Sequence, residues 1–282
     1  MQQVLIIGGS GNVGRALTRE LSWSGDVAVR PASRNPTGLV AKDGVDPVRF
    51  DYDDPTTFGP ALEGVDSVFM IGPPSPEPHV VMLPFLEQAA RENRKIVLMT
   101  ALGADADEGG SLRRVETALE GSGSPYVILR PNWFMDNFHT MWLSPIQQGG
   151  VIPLPAADSR TSLIDSRDIA ASAAAALRVD RFDGRSFNLT GPEALTYSEA
   201  AAVLSEAAGR PIRYESVDDE SFVRSLSDAG VPADLSRYLA VLFGFARQGA
   251  AAPVSPSVEE ITGRAATTLR AYAKEHASAW AA

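Results

Sequence analysis

The chain has 282 residues, room for one large α/β domain or for a nucleotide domain with a smaller lobe. Its hydrophobic share of 44% is that of an ordinary globular chain and excludes global disorder, while a formal charge of −10 argues against a nucleic-acid partner, which would need a basic patch. The absence of cysteine excludes disulfides, thiol nucleophiles and zinc–thiolate sites.

Val4-Leu5-Ile6-Ile7 is apolar and mostly β-branched on consecutive positions, the pattern of a strand buried on both faces. It is too short for a signal-peptide core and has no basic lead, and no stretch approaches the roughly 18 apolar residues of a membrane helix. A cytoplasmic protein with no membrane partner is therefore expected. A glycine loop follows the strand, and Val13, Ala16, Leu17 and Leu21 then recur at helical spacing over residues 12–23. Strands are predicted over residues 27–32, 48–50, 65–71, 95–100 and 126–129, with helices over 54–62, 79–93 and 110–120 between them. This alternation predicts an α/β fold: a Rossmann, doubly wound parallel sheet whose strands end on one ligand-binding edge.

Past Pro131 the pattern loosens. A helical aromatic segment is predicted over residues 133–142, a short strand near 151–153, a helix over 166–177, a strand over 186–189 and a helix over 198–208. The rest reads as mostly helical, broken at Pro232 and in the Ala/Pro stretch 249–256. The expected organisation is a Rossmann domain over residues 1–150 and a smaller, mostly helical lobe over 151–282 laid on the ligand edge, the chain being partly interleaved.

The loop Gly8-Gly9-Ser10-Gly11-Asn12-Val13-Gly14 satisfies the dinucleotide fingerprint, its glycines letting the chain turn tightly and backbone N–H groups approach a pyrophosphate at a helix N-terminus. An enzyme that prefers NAD usually carries an acid at the end of the second strand. Here that end reads Pro31-Ala32-Ser33-Arg34-Asn35-Pro36, so Arg34 is the candidate for a 2′-phosphate, helped by Ser33, Asn35 and Arg15, and NADPH is expected over NADH. By the same rule for strand ends, Asp51 falls to the adenine, Gly72 and Pro73 to the middle of the cofactor, and Thr100 and Ala101 to the nicotinamide.

These motifs continue in order through Phe50-Asp51-Tyr52-Asp53-Asp54-Pro55, Ala61-Leu62-Glu63-Gly64-Val65-Asp66, Leu129-Arg130-Pro131-Asn132-Trp133-Phe134, Ile164-Asp165-Ser166-Arg167-Asp168 and Leu189-Thr190-Gly191-Pro192. Over nearly the whole chain the sequence resembles the NmrA-like branch of the atypical short-chain dehydrogenases/reductases. That group includes NAD(P)H-dependent quinone and azo reductases, and also redox-sensing regulators with no known turnover. The resemblance implies Arg34 at the 2′-phosphate, Pro131, Asn132, Trp133 and Phe134 bordering the reactive end of the cofactor, and Asn137 on its substrate side.

Ordinary members of that superfamily use a Tyr-x-x-x-Lys pair to shuttle a proton. None of Tyr52, Tyr126, Tyr197, Tyr214, Tyr238 and Tyr272 has a lysine four residues on, and the helix that would carry the pair reads Ser111-Leu112-Arg113-Arg114-Val115-Glu116. The expectation is an NADPH-dependent oxidoreductase that passes a hydride to an apolar, aromatic, quinone-like or imine-like small molecule. Two alternatives stay open: a non-catalytic NADP(H) sensor, and a redox-neutral isomerase or cyclase. An open pocket beside the nicotinamide would favour an enzyme, a filled one a sensor.

Trp133, Asn137, Phe138 and Trp142 are the substrate-side candidates, although the i and i+4 spacing of Phe134 and Phe138 equally suits core packing. Asn137, His139 and His79 are the catalytic candidates, and His276 is read as solvated. No metal is expected from three scattered histidines. Asp165 or Ser166 and Asp168 suit the start of a helix, Arg130 suits a structural ion pair, and neither Ser10 nor Ser122 has the spacing of a nucleophile elbow. Association with a second copy of the chain is left open.

Overall fold

The computed structural model describes residues 1–23 and 25–281, so Ala282, the last residue of the expected second lobe, lies outside the described residues. In chain order the first half forms β1 (Gln2–Ile7), α1 (Asn12–Trp23), β2 (Val27–Ser33), β3 (Val48–Arg49), α2 (Phe58–Leu62), β4 (Ser67–Ile71), α3 (His79–Arg91), β5 (Lys95–Met99), α4 (Ser111–Glu120) and β6 (Tyr126–Pro131). The second half adds α5 (Leu143–Gly149), β7 (Val151–Leu154), β8 (Arg160–Thr161), α6 (Ser166–Arg178), β9 (Arg185–Leu189), β10 (Leu195–Thr196) and α7 (Tyr197–Ala208). It continues with β11 (Arg213–Ser216), α8 (Asp219–Asp228), α9 (Ala233–Arg247), α10 (Ser257–Thr262) and α11 (Leu269–Glu275).

Among the described residues the central sheet has seven strands, all parallel, in the order β3-β2-β1-β4-β5-β6-β9. Side chains alternate through it as a pleated strand requires. Val4 and Ile6 enter one core with Leu17 and Leu21 of α1 and Ile169 and Ala173 of α6. Leu5 and Ile7 enter the other with Phe85 of α3 and Val115 of α4. The strand order reverses between β1 and β4, and such a switch point opens a crevice at the carboxyl ends of the strands.

Elements from beyond residue 150 join the sheet layer: β9 pairs in register with β6 (Leu129↔Phe187), and α6 covers the sheet beside α1. The alanines of α6 at positions 170, 173, 174 and 176 are all buried, and their small side chains let it seat against the sheet. The lobe proper has its own core of Phe138, Trp142, Tyr197, Phe243, Tyr272 and Trp280.

One expectation is corrected: the aromatic segment is not one helix. Trp133 and Phe134 run extended, exchanging backbone hydrogen bonds with Ile164 (Ile164 N to Trp133 O 2.9 Å, Met135 N to Ile164 O 2.8 Å). Only Met135–His139 then turns, as a 3-10 helix, before α5 begins.

Candidate functional site

Gly8, Gly9 and Gly14 of the fingerprint each have a separate steric reason. Gly8 sits at φ +76°, the left-handed region glycine tolerates. A Cβ on Gly9 would lie 2.7 Å from Pro31 of β2, and one on Gly14 only 2.2 Å from the Gly8 carbonyl oxygen. Absence of both lets α1 start directly against the loop, which is tied down by Gly9 N to Ala32 O and Gly11 N to Gly8 O, each 2.9 Å. Ser10, Gly11 and Asn12 are left exposed at the N-terminus of α1, where the first N–H groups have no partner in their own helix. Val13 and Gly14 are buried beneath them, so this is a cradle that fits a pyrophosphate.

At the end of β2, Arg34 is exposed and its guanidinium makes no ion pair or hydrogen bond with the described residues. Its neighbours are spoken for. Ser33 Oγ accepts from Asn35 N, and Asn35 Oδ1 accepts from Thr37, closing the turn at Pro36–Gly38. Arg15 reaches back to the glycine loop, its Nε donating to Ser10 O at 2.7 Å. Of the hydrogen-bonding oxygens expected to assist Arg34, both are therefore taken up by the turn. Asp51 lies beyond β3, with Oδ1 accepting from Asp53 N.

A cleft of about 430 Å³ opens at the carboxyl ends of β4, β5 and β6. Its floor is Ile71, Gly72 and Pro73, then Met99, Thr100 and Ala101, then Pro131 to Phe134, and Asn137 stands at its side. A Cβ on Gly72 would fall 2.4 Å from Met82 Sδ, so glycine there lets the proline-rich loop lie against α3. Asn132 is buried with its side chain fully committed: Nδ2 donates to Ser162 Oγ and Ala251 O, both 2.8 Å, and Oδ1 accepts from Trp133 N. It is a brace for the cleft wall rather than a free ligand. The opposite wall, Tyr238 to Ala246 of α9, was not foreseen from the sequence.

Helix α4 carries a buried ion pair to β6. Glu116 is fully buried and accepts from Arg130 Nε (2.9 Å) and Nη2 (2.8 Å), from Thr100 Oγ1 (2.7 Å) and from Arg113 Nη1 (3.3 Å). Arg130 also meets Asp105 at 2.7 Å. Burial disfavours the Arg130 charge, and the Glu116 carboxylate more than offsets it, holding the guanidinium above its ordinary pKa. Thr100 thus lines the cleft with its hydroxyl turned away into this network.

Several candidates lie elsewhere. Phe138 and Trp142 are buried in the lobe core, packed on each other and on Tyr197, and take no part in the cleft wall, because the extended run at Trp133 rotates the following turn inward. Trp133 does face the cleft, stacked on Phe243 of α9 with ring centroids 4.5 Å apart. His139 points away from the cleft: its Nδ1 is hydrogen-bonded to Tyr272 Oη, and its ring stacks on His276 at 4.6 Å. Burial, then His276, lowers its pKa against the pull of Asp136 and Asp165. His276 is therefore a stacking partner, not a solvated side chain. His79, at the start of α3, is bonded to Ser111 Oγ at 2.7 Å outside the cleft wall.

The carboxylates are structural. Asp165 caps α6 by accepting from Arg167 N at 2.8 Å, Asp136 accepts from Ser166 N and Oγ, and Asp168 accepts from Thr267 N.

The sequence matches a family model described as NAD(P)H-binding over residues 8–180 and one described as NmrA-like over residues 112–274. It is 33% identical to the NAD(P)H azoreductase of Xenophilus azovorans, with 99% of each chain covered. It is 32% identical to the prestalk A differentiation protein A of Dictyostelium discoideum, over 96% of this chain and 91% of that one. Among solved structures, the NADP(H) complex of Citrobacter triphenylmethane reductase superposes with a TM-score of 0.82 at 22% identity, covering 98% of this chain and 99% of that one. The Escherichia coli NADPH-dependent quinone oxidoreductase does so equally, at 24% identity over 96% and 99%. These two likenesses establish the fold.

Proposed function

The chain belongs to the NmrA-like family of the atypical short-chain dehydrogenases/reductases, and from that premise we propose that it is an NADPH-dependent oxidoreductase acting on a flat, apolar acceptor such as a quinone, an azo compound or an imine. The observation that carries this reading is the open cleft of about 430 Å³ at the ends of β4, β5 and β6, where a non-catalytic sensor could have the same space filled.

The chain's own residues divide the work. The loop from Gly8 to Gly14 and the N-terminus of α1 hold the pyrophosphate, Arg34 meets a 2′-phosphate, Asp51 falls to the adenine, and Gly72 and Pro73 at the edge of the cleft floor fall to the middle of the cofactor. Thr100, Ala101 and Pro131 to Phe134 form the floor on which the nicotinamide rests. Bound there, the reduced cofactor supplies a hydride. Trp133 and Asn137 orient the acceptor, the indole by stacking and the amide by hydrogen bonding, since neither polar group has a protein partner among the described residues. The apolar wall of α9 excludes water. Holding the acceptor against the floor is a proximity effect worth up to roughly 7–11 kcal/mol. An azoreductase one-third identical over its full length supports both the cofactor and the acceptor class.

Thermal denaturation in the presence of NADPH and of NADH tests the cofactor. At about 100 times its dissociation constant a ligand stabilises the folded state by roughly 2.7 kcal/mol. NADPH should raise the midpoint far more than NADH, and a panel of quinones and azo dyes should then oxidise NADPH, followed at the nicotinamide absorbance. Stabilisation by neither nucleotide would sink the reading.

A further inference from the structure

Reduction of a quinone or an azo compound needs a proton as well as a hydride, and no tyrosine of this chain has a lysine four residues on. Helix α9 turns Tyr238, Leu242, Phe245 and Ala246 on to the cleft, positions i, i+4, i+7 and i+8 of one helical face. Tyr238 is half-buried, and its hydroxyl makes no hydrogen bond with any described residue.

Every other proton-bearing side chain on the cleft wall is spent or too weak an acid. Thr100 donates to Glu116, and Asn132 is committed on both sides. The Trp133 indole, the Asn137 amide and the Ser75 alcohol are weaker acids than a phenol. Nor does another phenol compete. Tyr52 donates to Ile71 O and Tyr214 to Leu154 O, Tyr272 is hydrogen-bonded to His139, Tyr197 is buried in the lobe core, and Tyr126 stands at the amino end of β6, off the cleft wall. Burial raises the Tyr238 pKa, so the group is a protonated donor at neutral pH.

Resting on the oxidoreductase reading above, we infer that Tyr238 is a catalytic residue that hydrogen-bonds the heteroatom of a quinone or azo acceptor and gives it a proton from Oη. The acceptor's conjugated π system opens as the reduced nicotinamide, left oxidised, gives a hydride with its two electrons to one carbonyl oxygen of the quinone or one nitrogen of the azo group. The Tyr238 O–H bond breaks, its proton forms the second O–H or N–H bond on the other carbonyl oxygen or nitrogen, and the phenolate recovers its proton from water. The product is a hydroquinone or a hydrazo compound. An acceptor that is already a cation, such as a triarylmethyl dye, takes the hydride at carbon and needs nothing from Tyr238.

The test compares wild type with Tyr238→Phe on a naphthoquinone and on a cationic triarylmethyl dye, with NADPH saturating. Loss of a positioned acid costs about 10²-fold or more in turnover. That loss is expected on the quinone, with less than about a 3-fold change on the dye. A second readout uses no cofactor: quenching of tryptophan emission by the quinone, which Trp133 on the cleft wall makes possible, should report an affinity lower by roughly 2–10-fold, one neutral hydrogen bond. Equal losses on quinone and dye would mean a packing role and overturn the inference, as would full quinone turnover or unchanged quinone affinity in Tyr238→Phe. Wild type that reduces no acceptor would instead overturn the oxidoreductase reading itself.

Discussion

Glu116→Ala probes the buried ion pair that joins α4 to β6. The side chain is fully buried and Arg130 is only 7% exposed, so the substitution strands a guanidinium in the interior with Asp105 as its remaining charged partner. Breaking such a pair from one side costs about 3–5 kcal/mol. At roughly 2–4 °C per kcal/mol for a chain of this order, the thermal midpoint should fall by about 6–20 °C. Arg113 loses one contact but keeps Glu108 and Glu120, and adds little to the cost. Urea denaturation without cofactor measures the loss, since a bound nucleotide would mask it. Glu116→Leu combined with Arg130→Met removes both charges at nearly constant volume and should regain most of the lost stability. A loss below about 1 kcal/mol for Glu116→Ala, or a double variant no more stable than the single one, would refute the claim that the pair matters through its buried charge.

Arg34→Ala should weaken NADPH binding by about tenfold or more, one charge-assisted contact, and leave NADH nearly unchanged; titration of each nucleotide decides, and equal losses would remove Arg34 from the 2′-phosphate. Gly14→Ala places a methyl 2.2 Å from the Gly8 carbonyl, whereas Gly11→Ala meets that oxygen at an ordinary 3.4 Å. The first should cost about 1–3 kcal/mol and abolish stabilisation by nucleotide, and the second should fold normally, as thermal scans of both would show. His139 has its pKa lowered in the folded state, so the unfolded chain binds its proton first. The stability that neutral His139 contributes is full above its ordinary value near 6.5 and is lost as pH falls below it. His139→Gln should flatten that part of the urea-midpoint profile between about pH 5 and 7, and an unchanged slope would count against the assignment.

Much of the fold was legible because its signals are local. Residues 12–23 were bounded by the glycine loop and by amphipathic spacing, and α1 spans those residues. Residues 4–7 read as buried on both faces and are so. Pairing between distant segments was not legible: nothing within Arg185–Leu189 announces that it is the seventh strand of the central sheet rather than part of the lobe. The aromatic run misled for the same reason. Its helical spacing is real, but backbone bonds from Ile164, thirty residues on, hold its first two residues extended and turn Phe138 and Trp142 inward. In the site, the glycine cradle and the strand ends followed from rules about strand order, whereas α9 carries no motif. Tyr238 was passed over for lacking a lysine four residues on, and only the packing of α9 across the crevice brings its hydroxyl to the cleft.

That arrangement divides the cleft between two separately packed bodies. Its floor is the carboxyl edge of the sheet, whose side chains are fixed by the two cores of the Rossmann layer. Its roof is a single helix anchored in the lobe core through Leu239, Ala240 and Phe243, with Tyr238, Leu242, Phe245 and Ala246 on the adjoining face. Mutational drift on that face reshapes the acceptor's half of the site while the nucleotide's half keeps its packing. On the proposed reading, a share of the preference for one oxidant over another rests on a few positions of one helix and is inherited separately from the loop that binds the cofactor.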